Sequence, residues 1–162
     1  MGCAALLLLL ATACTGGGPS LDEAAEVLAA DARKLESLHP AVDKKVVDET
    51  GDGNDDFASC SNDDTALRVY QVTGNLKEGT QPIPAEQADL YGRPLRDKLK
   101  EIGYTIDRNS SWAQPGRSVS ILRKQDPGIT FIVLVQTSQP NVEIIGKTDC
   151  LPAPRRSERG SG

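Results

Sequence analysis

Aromatic residues are scarce in this sequence. One Trp, three Tyr and two Phe make up 4% of its 162 residues. A core of stacked rings is therefore excluded, and the interior must be aliphatic and modest in size. Histidine is scarcer still, with His39 the only one, and there are four cysteines. That leaves a thin supply of the Cys and His donors on which zinc sites commonly draw. No nucleophile elbow, phosphate-binding loop or zinc-metalloprotease motif occurs, so no catalytic residue and no cofactor is indicated. An excess of basic charge is also missing. The formal net charge is -5 and no basic stripe carries interleaved aromatics, which argues against a nucleic-acid partner. No apolar run is long enough to span a bilayer as a helix. The length suits one domain rather than two.

What is present begins at the amino terminus. Residues 1–13 read MGCAALLLLLATA, and the run from Ala4 to Ala11 has the length of a signal-peptide apolar region. Small residues Thr12 and Ala13 precede Cys14, and TGGGPS follows it as a flexible polar spacer. The segment Leu10-Ala11-Thr12-Ala13-Cys14 resembles the lipobox of bacterial lipoproteins. In that family the Cys thiol receives a diacylglycerol, cleavage falls just before it, and the new amino terminus is often acylated. The resemblance implies a signal peptide over 1–13, a lipidated Cys14 with a spacer to residue 19, and a membrane-anchored protein on the extracytoplasmic face. Several buried acyl chains anchor stably where one binds marginally. A signal peptide also opens with a positive region, yet no Lys or Arg precedes Arg33. That fits a natural start upstream of Met1, or a trimmed chain. The rival motif at Met1-Gly2-Cys3 would be myristoylation, but it requires Ser or Thr where Leu6 stands.

Signal-peptide removal takes Cys3 and lipidation takes Cys14. Cys60 and Cys150 remain, an even number in an oxidising compartment, and a bridge between them is the expectation. Two unpaired buried thiols are the alternative.

The segment 20–150 reads as a single domain. Ser20-Leu21-Asp22-Glu23 is a capping box. It opens a helix that carries Leu21, Ala24, Ala25, Leu28, Leu35 and Leu38 and stops at Pro40. Val42 to Val47 either extends that helix or forms a strand. Residues 65–74 read as one strand, with Leu67 and Val69 facing one way and Arg68, Tyr70 and Val72 the other. A helix follows within 85–102, with Leu90, Leu95, Leu99 and Ile102 on its buried stripe, broken or kinked at Gly92 and Pro94. Four strands complete the domain, around Tyr104 and Ile106, around Val119 and Ile121, at 128–136, and around Val142 and Ile144, where Ile145 breaks the alternation. The run at 128–136 is apolar on both faces and should be central. Turns at Asp126-Pro127-Gly128 and Gln139-Pro140-Asn141 make the last three strands a meander. The expected fold is an α+β two-layer sandwich, an antiparallel sheet of about five strands with helices packed on one face. The tail 151–162 lacks apolar periodicity and reads as disordered. Its Arg155, Arg156 and Arg159 could touch anionic lipid, although a solvated tail is the plainer reading.

The loop DETGDGNDD at 48–56 resembles part of an EF-hand. Asp48, Thr50, Asp52, Gly53, Asn54 and Asp56 fall at loop positions 1, 3, 5, 6, 7 and 9, counted as in the EF-hand. Position 12, where a bidentate Glu belongs, is Ser59. Asp48, Asp52, Asn54 and Asp56 are thus weak metal candidates beside the alternative of a solvated acidic loop. Tyr104 and Trp112 could form a small aromatic binding surface or simply pack.

The lipobox with Cys14, the early helix, Cys60 just ahead of LRVYQVTG, and the closing NVEIIGKTDCLP with Cys150 together make the chain similar to small predicted lipoproteins of actinobacteria. That resemblance implies an exported, lipid-anchored domain and supplies no catalytic residue. Three functions follow as expectations. The first is a non-enzymatic module that binds a cell-envelope protein or small ligand. The second is a carboxylate-dependent envelope hydrolase, which would gather several of Asp48, Asp52, Asp56, Asp63 and Asp64 in one pocket with perturbed pKa values. The third is a structural lipoprotein without a specific ligand.

Overall fold

Ser20 sets the first turn. Its hydroxyl accepts the Glu23 N–H at 3.3 Å, and the Glu23 carboxylate accepts the Ser20 N–H at 3.0 Å. The capping box is therefore reciprocal and starts helix α1, Leu21–Leu38. The computed structural model describes residues 18–76 and 84–153. Leu21, Ala24, Ala25, Leu28, Ala32 and Leu35 form the buried stripe of α1, whereas Leu38 is 43% exposed and lies off it.

The segment from Val42 to Val47 belongs to neither helix nor loop alone: strand β1 spans Lys45–Glu49. What reads as one strand over 65–74 is divided. Thr65–Ala66 form β2, Leu67 makes an isolated bridge to Asp56, and Val69–Gly74 form β3. The helix expected within 85–102 begins as a short 3-10 turn, Ala85–Gln87, and continues unbroken as α2, Ala88–Glu101. Gly92 and Pro94 lie inside it. Pro94 leaves the Leu90 carbonyl without an intrahelical donor, but Leu90 is 52% exposed, so water can serve that carbonyl. Leu90 is accordingly not on the buried stripe, which runs through Ala88, Gly92, Leu95 and Leu99. Gly92 belongs there because a Cβ would sit 3.3 Å from Val135 Cγ2.

The remaining strands are β4 (Thr105–Ile106), β5 (Trp112–Gln114), β6 (Arg117–Lys124), β7 (Ile129–Gln136), β8 (Val142–Thr148) and β9 (Leu151–Pro152). The main sheet is antiparallel in the order β1-β3-β8-β7-β6-β4, with β5 also on β6. A separate two-stranded ladder joins β2 to β9. The fold is α+β as expected, but its sheet has seven strands plus the small ladder rather than about five. The excess comes from β1, β5 and β9, which are short or lie at edges and carry little alternation, and from β2, split off the strand expected over 65–74. The last expected strands do form a meander, β6-β7-β8, with β7 inside it. The domain also runs past Cys150: Leu151 and Pro152 pair with Ala66 and Thr65, and Ala153 is buried. Residues 154–162, including Arg155, Arg156 and Arg159, lie outside the described residues.

Both helices cover the sheet face that carries Tyr70, Val72, Leu122, Phe131, Val133 and Ile144. Burying side chains of this size contributes about 1.5–3 kcal/mol each. Gly146 permits the closest approach, since a Cβ there would meet Phe131 Cε1 at 2.5 Å and Leu28 Cδ1 at 2.6 Å. The opposite face, where Ile145 aligns with Ile132 and Ile121, is half-buried and carries no helix among the described residues.

Candidate functional site

Arg68 stands one residue before β3, on the face that continues through Tyr70 and Val72. Its backbone N–H donates to Thr148 Oγ1 at 3.0 Å, and its carbonyl accepts the Thr148 N–H at 3.1 Å, so β8 fixes its position. The side chain is only 6% exposed. A guanidinium has five N–H donors and no acceptor, so burial demands several oxygens around it. Nε donates to Asp55 at 2.7 Å and Nη1 to the Thr50 carbonyl at 3.0 Å. Nη2 lies 2.8 Å from Asp22 and 3.4 Å from Asp52. Burial works to lower the Arg68 pKa, but Asp55 and Asp22 outweigh it and the guanidinium is held in its charged form.

These groups surround a small cleft of about 190 Å³ between the start of α1, the 50–55 loop and β9, lined by Ser20, Asp22, Asp52, Asp55, Arg68 and Pro152. A wider depression beside it is lined by Glu26, Ala29, Arg33, Thr50 and Asp52 among others. Three carboxylates against one guanidinium leave the cleft negative. Its chemistry is that of a polar, acid-rimmed recess.

The four EF-hand-like candidates do not converge. Asp48 lies in β1, where Oδ1 accepts from the Thr50 N–H at 3.1 Å and the Thr50 hydroxyl at 2.6 Å, and Oδ2 is 3.9 Å from Arg33. Asp52 turns to Arg68. The Asn54 N–H donates to the Gly51 carbonyl at 3.3 Å. Asp56 bridges to Leu67 through its backbone, and hydrogen bonds from Ser59 hold its carboxyl below the usual range. Among the described residues, no three His, Cys, Asp or Glu side chains are grouped to hold a metal ion. Of the four, only Asp52 is engaged by Arg68, while Asp48 is held by Thr50 and Asp56 by Ser59.

Cys60 and Cys150 are joined by a disulfide with a Cα–Cα distance of 5.8 Å. It staples the loop before β2 to the residue just before β9, next to the β2–β9 ladder. Cys14 and Cys3 lie outside the described residues. Tyr104 and Trp112 do not meet. Tyr104 is buried edge-on against Phe131 with ring centroids 5.3 Å apart, whereas Trp112 is 43% exposed under the Arg117 guanidinium.

A second charged network lies deeper. Asp31, on the buried side of α1, accepts from Tyr104 Oη at 3.1 Å, Lys124 Nζ at 2.9 Å and Lys34 Nζ at 2.9 Å. Burial alone would raise its pKa, but Lys34 and Lys124, with Tyr104, bring it below the ordinary value. His39 is buried at the end of α1, with Nδ1 accepting the Ala41 N–H at 3.2 Å. Burial, helped by Lys44, pushes its pKa down to about 4, so it is neutral near pH 7.

The acids that surround Arg68 go beyond those singled out from the sequence. Asp22 and Asp55 were missed, although an arginine on the inward face of a strand is itself a sign that carboxylates must gather around it. Asp31 carried a similar signal, since it falls three residues after Leu28 and four before Leu35, on the apolar stripe. Compared with protein-family models, curated proteins and solved structures, the chain matches none. No helix among the described residues is long and apolar enough to cross a membrane.

Proposed function

We propose that this chain is a lipid-anchored extracytoplasmic domain, held through Cys14, that works by binding a cell-envelope protein or small ligand rather than by catalysis. The observation that carries the reading is the Cys60–Cys150 disulfide. Structural disulfides persist in oxidising compartments, outside the bacterial cytoplasm. The bridge also consumes the two cysteines that remain after a signal peptide and a lipobox Cys are set aside. The similarity to small actinobacterial lipoproteins, carried by Cys14 and by the placement of Cys60 and Cys150, supports the same location.

The preference for binding over carboxylate chemistry rests on how the acids are used. A general acid at neutral pH needs a raised pKa. The carboxyls of Glu23, Asp31, Asp43, Asp56, Asp89 and Asp107 are instead all lowered by hydrogen bonds or cations. At the cleft, Asp22, Asp52 and Asp55 are engaged with Arg68. The recess around Arg68 is the place where a small polar ligand would be held.

Mass measurement of the membrane-extracted protein tests the anchor. The expected mature chain begins at Cys14 and carries the mass of diacylglycerol and an acyl group. A mature chain that begins at unmodified Thr15 or later overturns the anchor.

A further inference from the structure

The two edges of the main sheet are finished differently. At one end, β4 and β5 are two and three residues long, and very short edge strands are a common protection against pairing with another chain. At the other end, β1 offers five consecutive exposed residues, Lys45-Val46-Val47-Asp48-Glu49. Among the described residues, β1 pairs with β3 on one side only. Val46 and Val47 are 42% and 46% exposed, two of the most exposed large apolar side chains in the fold.

We propose that this edge pairs antiparallel with β1 of a second copy of the chain, about a two-fold axis through Val47. The sequence of the strand is self-complementary in that register. Val47 faces Val47, and Lys45 of each copy faces Glu49 of the other, twice. Residues 45, 47 and 49 alternate onto one sheet face, so valine pair and charge pairs share a side. Oppositely charged side chains directly across a strand pair are stabilising, and like charges are destabilising. Lys45 and Glu49 enter none of the salt bridges among the described residues, and Lys45 acts only at longer range, on Asp43. On the other face Val46 meets Asp48. The two Asp48 side chains become diagonal neighbours, a repulsion tempered by Arg33, 3.9 Å from Asp48.

The pairing also continues an existing row. In register across the sheet, Ile121, Ile132, Ile145, Gln71 and Val47 lie side by side on the face without helices. The dyad extends this row into its copy and turns two seven-stranded sheets into one. Such an isologous contact closes on itself and does not propagate into fibres. A five-residue edge makes a small interface, and small interfaces lie at the weak, transient end of the range.

The test is sedimentation equilibrium of the full chain carrying Cys14→Ser, which bears no lipid and so makes the outcome independent of the anchoring proposal. The expected result is a concentration-dependent species of twice the monomer mass. Lys45→Glu alone and Glu49→Lys alone place like charges opposite each other and should each weaken the dimer about tenfold or more. The double variant Lys45→Glu/Glu49→Lys restores opposite charges and should recover it. Thermal unfolding of the three variants confirms that these exposed changes leave the fold intact. A monomer at every concentration up to about 1 mM overturns the proposal. So does a dimer that ignores the single swaps, or one that the double swap fails to rescue.

Discussion

Asp31 and Arg68 are the two charged side chains most deeply placed in the fold, 4% and 6% exposed, and they are satisfied with opposite signs. Asp31 is an acid held by two lysines and a buried tyrosine hydroxyl. Arg68 is a base held by three aspartates and a carbonyl. In both, outer partners reach toward water. Lys34 is 49% exposed, while Asp22 and Asp52 are 66% and 82% exposed. The difference lies in closure. Tyr104 seals the Asp31 network, and Lys124 lies 4.6 Å above the Tyr104 ring, so α1 is clasped to the end of β6. The Arg68 network borders a cleft, and two of its three acids stand largely in solvent. Asp31 clasps α1 to β6, whereas Arg68 borders an open cleft.

Breaking the staple beside the open network should have the largest effect. Cys60→Ser/Cys150→Ser releases a loop of 90 residues and should cost about 4 kcal/mol in urea unfolding. Arg68→Met comes next, because it leaves Asp55, 16% exposed, without its cation. A loss of about 3 kcal/mol is expected, with faster hydrogen exchange in 50–56 and unchanged protection in α2. Equal acceleration in both regions would show that Arg68 is not a local fastener.

Titration separates a third buried group from the two networks. His39 has an ordinary pKa of 6.5 when unfolded and about 4 in the fold. The unfolded chain therefore binds more protons between those values. Stability is complete above pH 6.5 and falls by up to about 3 kcal/mol as pH drops to 4. His39→Gln should flatten that interval. Asp31, whose pKa is lowered, contributes stability that is lost only at still lower pH. Asp31→Asn should then cost about 2 kcal/mol at pH 7, since an amide weakens its bonds to both lysines. Smallest of all, Asp52→Asn at the exposed rim should change stability by less than about 0.5 kcal/mol, as thermal unfolding would record.

Much of this architecture was legible because it rests on short-range signals. The capping box at Ser20, the alternation through Tyr70 and Val72, the apolar run of β7 and the meander turns each declare themselves within a few residues. The Cys60–Cys150 bridge followed from counting. What was not legible depends on contacts distant in sequence. Pro94 and Gly92 read as helix breakers, yet α2 stays whole, with Gly92 packed against Val135 and Leu90 on the exposed side. β9 read as tail because Leu151-Pro152 has no period of its own and is a strand only against β2. The candidate site suffered most. The acidic loop offered weak metal candidates beside a solvated loop because its spacing is local, while the Arg68 that engages Asp52 and Asp55 comes from 13 residues beyond Asp55.

Ser20 and Leu21 line the same cleft as Pro152 and Ala153, and Leu21, Ala66 and Ala153 pack in one small apolar cluster. The first and last described segments therefore leave the body at a single corner. A domain so arranged can be spliced into a surface loop of another protein, or cut elsewhere and rejoined there, without bending a strand.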